Sequence, residues 1–195
     1  MDRTAPAEHP IADVLAARWS PRAFSDAPVT RDELHSLLEA ARWAPSSGNS
    51  QPWRFVYALR DEDPEAHARI LGVLDEYNQV WAKDASLLMI SVAQLRNEKR
   101  ELRHAEHDVG LAVGTMLVQA TTLGLHVHQM GGYDADAARE ALAIPEHHAP
   151  VAAIAVGRLG SPSLLPEKLA AREVAERVRV PQAQFAYPGR FGAPD

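Results

Sequence analysis

Hydrophobic positions along this chain alternate between two spacings, and the changes of spacing mark its elements. Ile11, Val14, Leu15 and Ala16 recur at helical intervals until the Ser20-Pro21 pair stops them, which predicts a short first helix. Thr30 with Glu33 three residues on has the form of a capping box. Leu34, Leu37, Leu38 and Ala41 follow on one face, so a second helix should run to about Trp43. Phe55 to Leu59 reads as a strand, and Pro64 opens a longer helical pattern carried by Ile70, Leu71, Leu74 and Tyr77. Ser86 to Ala93, SLLMISVA, is apolar almost throughout, as a strand covered on both faces would be. Residues 94–105 are charged and show no period. The next helix, about Glu106 to Leu123, carries Gly110, Gly114 and Ala120, small residues that permit close approach by another helix, and Gly124 ends it. HVHQM is strand-like, Asp134 can cap a helix reaching about Leu142, and Val151 to Val156 makes the last strand. Beyond Gly157 only Pro166 to Arg177 has a clear helical pattern.

No repeat or linker divides the 195 residues, and 46% hydrophobic content suits one core, so residues 1–195 are expected to form a single domain. The stretch from about 158 to 195 is rich in arginine and proline yet carries Phe185, Tyr187 and Phe191. It is expected to pack along a partner subunit. A formal charge of -6 argues against a nucleic-acid binder, which needs a basic surface to displace counterions. With no cysteine, disulfides, iron-sulfur clusters, thiolate zinc sites and cysteine nucleophiles are excluded. Gln119, Thr121, Thr122 and three glycines interrupt the apolar run Val109 to Leu125, which reads as a buried helix, with no membrane association expected. The start MDRTAPAEHPIADVLAARW has charges and prolines where a secretory signal needs an apolar segment, so the cytoplasm is the expected compartment.

Two segments carry candidate chemistry. RWSPRAF places Arg18, Ser20 and Arg22 around a proline, and alternate residues of an extended segment point the same way. Two guanidiniums and a hydroxyl can therefore converge on one anion, although arginine-rich turns are also commonly just solvated. APSSGNSQPW offers serines, Asn49 and Gln51 as hydrogen-bonding groups suited to a planar heterocycle, with Gly48 allowing close backbone approach and Trp53 anchoring the return to the sheet. Its plainer reading is a rigid connector. His104 with His107 and Asp108, or His126 with His128, could each begin a metal site, but nothing clearly supplies a third ligand, and packed or surface histidines are favoured. Trp81 reads as a core aromatic.

Taken in order from about Arg18 to Pro181, the segments RWSPRAF, ARWAPSSGNSQPWRF, DVGLAVGTMLVQATTLGLHVHQMGGYD and LPEKLAAREVAERVRVP resemble the nitroreductase family of FMN-dependent oxidoreductases. The resemblance implies an α+β protein of three-layer α/β/α architecture with a central mixed, mainly antiparallel sheet. It also implies a homodimer with exchanged C-terminal arms and FMN held between the subunits. Arg18 and Ser20, flanking Trp19, match positions that contact the FMN phosphate and ribityl chain; Arg22 matches the cation beside N1 and O2 of the ring. Pro45, Ser46, Ser47 and Asn49 match a loop that reaches the flavin from the second subunit. Gln129, Met130, Gly131 and Gly132 match the segment beside flavin N5, and Arg177 and Arg179 match cations that close over the phosphate.

The implied activity is hydride transfer from NADPH or NADH through FMN to nitroaromatics, quinones or similar electron-poor acceptors, in ping-pong fashion. A fixed cation near N1 and O2 stabilises the reduced ring more than the oxidised one, which gives Arg22 a role without a proton-transferring side chain. The absence of GxGxxG is no obstacle, because a visiting nicotinamide needs no dinucleotide fold. The alternatives are a flavin-binding sensor or store without turnover, or another chemistry on the same fold, such as dehydrogenation or flavin fragmentation.

Overall fold

The computed structural model describes residues 3–193. Helix α1 (Asp13–Ala17) and helix α2 (Arg31–Arg42) precede strand β1 (Trp53–Leu59), helices α3 (Pro64–Gly72) and α4 (Glu76–Ala82), and strand β2 (Leu87–Gln94). Helix α5 (Ala105–Thr122), strand β3 (His126–Met130), helix α6 (Ala135–Ala141), strand β4 (His148–Gly157) and helix α7 (Glu167–Val174) complete the order. The strands form one sheet in the order β1-β2-β4-β3, and all three pairings are antiparallel. Between Ser91 and Val92 the β2–β4 register slips, and the Ser91 hydroxyl fills the gap, donating to the Ala152 carbonyl (3.1 Å) and accepting from its N–H (3.2 Å).

The apolar run of β2 is explained by what covers it. Leu87, Met89 and Ala93 pack with Leu34 and Leu37 of α2 and Val109, Val113 and Met116 of α5. Leu88, Ile90 and Val92 face the other way, onto Ile70 of α3, Trp81 of α4 and Leu169 of α7. Two cores thus sandwich the sheet, giving the three layers of an α/β/α arrangement. The Thr30–Glu33 capping box forms in both directions, and Asp63, Asp75 and Asp134 each cap the helix that follows.

Three elements differ from the sequence pattern. The single helical run expected from Pro64 through Tyr77 breaks at Val73–Asp75, where Leu74 bridges to Tyr133 and the Val73 carbonyl accepts from the Asp134 N–H at 2.8 Å. Tertiary pairing there outweighs helical periodicity. Helix α7 ends at Val174, short of Arg177, because Ala175 is extended and the chain turns back toward α1. Strand β4 begins at His148, earlier than expected, since Leu95 and Gln94 draw residues 147–148 into the ladder. After Val174 the described residues form only one short 3-10 turn, Gln182–Gln184, and Val178, Phe185 and Phe191 stand 69%, 62% and 93% exposed. Among the described residues no helix is long and apolar enough to cross a membrane.

Candidate functional site

The segment RWSPRAF has no regular structure of its own, yet its backbone is fixed at successive peptides. The Pro21 carbonyl lies 2.8 Å from His128 Nδ1, on β3. A carbonyl only accepts, so Nδ1 carries the hydrogen and the neutral ring leaves Nε2 bare. Burial, reinforced by the charges of Arg22 and Arg18, holds the His128 pKa down to about 4, so the ring is neutral at physiological pH. From the last turn of α7, Glu173, 2% exposed, accepts the Arg22 N–H at 2.8 and 3.0 Å and the Ala23 N–H at 2.9 Å. Its carboxylate is thus satisfied by backbone, and among the described residues no arginine forms an ion pair with it.

Among the described residues, the guanidiniums of Arg18, Arg22, Arg177 and Arg179 around it form no ion pair at all. Arg18, Trp19, Ser20, Arg22, Arg177 and Arg179 line one recess of about 290 Å³, with Glu173 and Glu176 also on its wall. Arg18 Nη1 donates to the Ser20 hydroxyl at 3.2 Å, and burial together with the Arg179 charge lowers the Arg18 pKa. Burial and the charges of Arg18, Arg179 and Arg3 do the same to Arg177. Like charges gathered without an ion-paired carboxylate repel one another, and an anion bound there relieves the repulsion. Arg22 Nε is buried with no hydrogen-bond partner, a donor without an acceptor.

The two tail arginines differ in freedom. Arg177 donates to the carbonyls of Ala16 (3.1 Å), Arg18 (2.8 Å) and Arg3, so it staples the tail to the chain's start. Arg179 is exposed and, among the described residues, donates only to the adjacent Val178 carbonyl, at 2.7 Å.

The Ser46–Gln51 loop is ordered by different partners. Gly48, Asn49 and Gln51 have φ of 58, 53 and 47°, in the left-handed region, and a Cβ at Gly48 would also lie 2.8 Å from Arg100 Nη2. Asp108, buried in the first turn of α5, accepts the Ser47 N–H at 3.0 Å. The Ser46 hydroxyl accepts the Gln51 N–H at 3.0 Å, and Gln51 Nε2 donates to Asn49 Oδ1 at 3.1 Å. Pro45, Ser47 and Asn49 remain exposed. Ser47 and Ser50 line a separate cavity of about 440 Å³ with Arg100, Arg103, His104 and Asp108, and it shares no residue with the arginine recess. One protomer therefore does not bring Pro45, Ser46, Ser47 and Asn49 together with Arg18 and Arg22 in one cavity.

The third predicted group continues from His128 along β3. Gln129 and Gly131 are exposed, and Met130 is buried. Gly132 is locked: its carbonyl accepts the Asp75 N–H (3.1 Å) and Asn78 Nδ2 (3.0 Å), while the Gly131 carbonyl accepts the Tyr133 N–H (3.2 Å). Among the described residues no cluster of histidine, aspartate and glutamate could hold a metal ion. His126 packs edge-on to Trp19 at 6.0 Å, and Trp81 is a fully buried core residue 4.6 Å from the His128 ring. Glu173, Asp75 and Asn78 had no sequence signal as site residues, whereas His128 and Asp108 stood out in the sequence only as members of possible metal-ligand groups.

Several known proteins are similar to this chain. A solved oxidoreductase containing FMN superposes with a TM-score of 0.92 at 39% identity, covering 99% of this chain and 98% of that one. A protein provisionally named NADH dehydrogenase/NAD(P)H nitroreductase in Rhodopseudomonas palustris (strain TIE-1) is 38% identical over 154 residues, 69% of this chain and 76% of the relative. An uncharacterised 15.4 kDa protein from the ask 5′ region of Mycolicibacterium smegmatis is 31% identical over 147 residues, 72% of this chain and 99% of its own length. The fold and these similarities together define the class, an α+β oxidoreductase. The chain belongs to the nitroreductase family, whose model matches residues 15–158.

Proposed function

We propose that this protein binds FMN at the seam of a homodimer, takes hydride from NADPH or NADH, and delivers it to nitroaromatic, quinone or similar electron-poor small molecules. The observation that carries the reading is a recess of arginines in which, among the described residues, no guanidinium is ion-paired and Arg22 Nε is orphaned. The likeness to an FMN-containing oxidoreductase supports the choice of anion.

The residues present fit FMN. Arg18, Ser20 and Arg179 offer charge-assisted and neutral donors for its phosphate end, and Arg22 offers a half-buried cation, its Nε shielded from solvent, for the electron-rich edge of its ring. Bound FMN supplies the hydride-accepting and hydride-donating centre; the chain supplies position, field and access. Glu173 and His128 hold the peptides on either side of Arg22 and so fix where its side chain starts. Arg177 draws the tail over the recess. Pro45, Ser46, Ser47 and Asn49, ordered but turned away from the recess of their own protomer, are assigned to the flavin of a second copy. The exposed Val178, Val180, Phe185 and Phe191 are assigned to packing on that copy. The cytoplasm, with its pool of reduced nicotinamides, is the compartment that goes with this reaction.

The test is anaerobic. The FMN-loaded protein should lose its yellow absorbance on adding NADPH or NADH and regain it on adding a nitroaromatic or quinone. A flavin that neither nicotinamide bleaches would overturn the reading.

A further inference from the structure

The charged stretch between β2 and α5 shows no period in the sequence, yet it folds into a defined turn. Arg96 bridges to Glu101, and Asn97 Oδ1 accepts the N–H groups of Lys99 and Arg100, each at 3.0 Å. Leu102 is buried, and its N–H donates to the Leu95 carbonyl at 2.7 Å, which anchors the turn to the core. The turn meets the Ser46–Gln51 loop through Arg100. A Cβ on Gly48 would lie 2.8 Å from Arg100 Nη2, so the guanidinium rests directly on the glycine.

Loop and turn together wall the cavity of about 440 Å³, and the charges around it are unevenly used. Both acids on the wall are engaged. Asp108, 2% exposed, accepts the Ser47 N–H at 3.0 Å and the Ser50 hydroxyl at 3.5 Å, while Glu101 pairs at 3.5 Å with Arg96, which lies off the wall. Arg100 and Arg103 are exposed, and among the described residues neither guanidinium has an ion pair or a hydrogen bond. His104, also exposed, stands beside them on the same wall. A cavity of this size takes a small molecule, and two unpaired guanidiniums on its wall suit one carboxylate or phosphate group.

We propose that Arg100 and Arg103 form a specificity site for an anionic group, carboxylate or phosphate, on the small molecules that visit the flavin. This rests on the functional reading above, which assigns the Ser46–Gln51 loop to the flavin of a second copy. Arg100 lies against that loop at Gly48, so wherever the loop is presented the anion site goes with it. FMN is then held by one chain's recess, and the charged end of its visitor by the other chain's turn. Two visitors can bring such a group: NADPH through its 2′-phosphate, and an acceptor through a carboxylate.

The experiment measures equilibrium binding to the oxidised, FMN-loaded protein by calorimetry, for wild type and Arg100→Gln/Arg103→Gln. The probes form two pairs that differ chiefly in charge: 4-nitrobenzoate against 4-nitrobenzamide, and NADP+ against NAD+. In at least one pair wild type should favour the more anionic member, and the double variant should reduce that preference by about tenfold. A change confined to the nitrobenzoate pair identifies a carboxylated acceptor as the visitor, and one confined to the NADP+ pair identifies the 2′-phosphate. Wild type that favours neither anionic member, or preferences in the variant within about twofold of wild type for both pairs, overturns the proposal. Equal weakening of both members of each pair also overturns it, because the arginines would then merely support the loop. A flavin that neither nicotinamide bleaches overturns the functional reading and this proposal with it, whereas a bleached flavin with unchanged preferences overturns this proposal alone. Should the double variant not fold, Arg103→Gln decides.

Discussion

The two halves of the candidate site differ in what a single chain does for them. Around RWSPRAF the chain closes on itself: α7 supplies Glu173, β3 supplies His128, and the tail returns through Arg177, so every peptide from Pro21 to Ala23 is held within the protomer. The Ser46–Gln51 loop is as well ordered, through Asp108 and its own side chains, yet Pro45, Ser47 and Asn49 face outward. Order without a ligand in reach is what a surface offered to another molecule looks like. The difference teaches that charge is gathered where one chain can enforce it, while the loop's backbone is presented outward, to the seam of the proposed dimer.

Removing charge from the closed half should have the largest effect. In Arg18→Ala/Arg179→Ala, FMN affinity measured by fluorescence quenching should fall by about two to four powers of ten, at about 1.5–3 kcal/mol for each charge-assisted bond. A loss under tenfold would mean that the recess is not the phosphate site. Next comes acid. The folded-state pKa of His128, about 4, lies below the ordinary 6.5, so its contribution to stability is complete above pH 6.5 and declines as pH falls toward 4, where the unfolded chain binds the extra proton. Urea unfolding at pH 7 and pH 4.5 should differ by on the order of 2 to 3 kcal/mol from this residue. Burial lowers the pKa of His67 and His126 as well, so part of the acid sensitivity belongs to them. His128→Gln should therefore show a smaller drop than wild type, and an equal drop would remove His128 from the account. The smallest effect belongs to the open half. Asn49→Gly keeps the left-handed turn and deletes only the side chain. It should weaken FMN binding by about tenfold or less, with unfolding free energy unchanged within about 0.5 kcal/mol. If stability drops instead, the loop is a structural connector and the contrast between the halves collapses.

Much of this was legible in the residues. The Thr30–Glu33 pair announced α2, and SLLMISVA announced a strand covered on both faces, because local propensity and burial point the same way there. Arg18, Ser20 and Arg22 could be picked out by spacing, and the recess gathers them. What stayed hidden were the residues that act through another residue's backbone. Glu173 sits among ordinary helix residues, and nothing in AAREVAERV says that its carboxylate serves peptides about 150 positions earlier. The break before Asp75 was equally invisible, since Leu74 and Tyr77 keep helical spacing and only the bridge to Tyr133 explains the interruption. Long-range pairing leaves no period in the sequence.

Strand β2 has a consequence for how the chain is made. Its eight residues hold no charge and no proline, and both of its edges are occupied in the finished sheet, by β1 and β4. During synthesis β1 is already available, but β4 emerges roughly fifty residues later, which at about 5–20 residues per second leaves one sticky margin bare for roughly 3 to 10 s. Slowing the ribosome across the α5 segment should therefore increase aggregation of nascent chains and their dependence on chaperones.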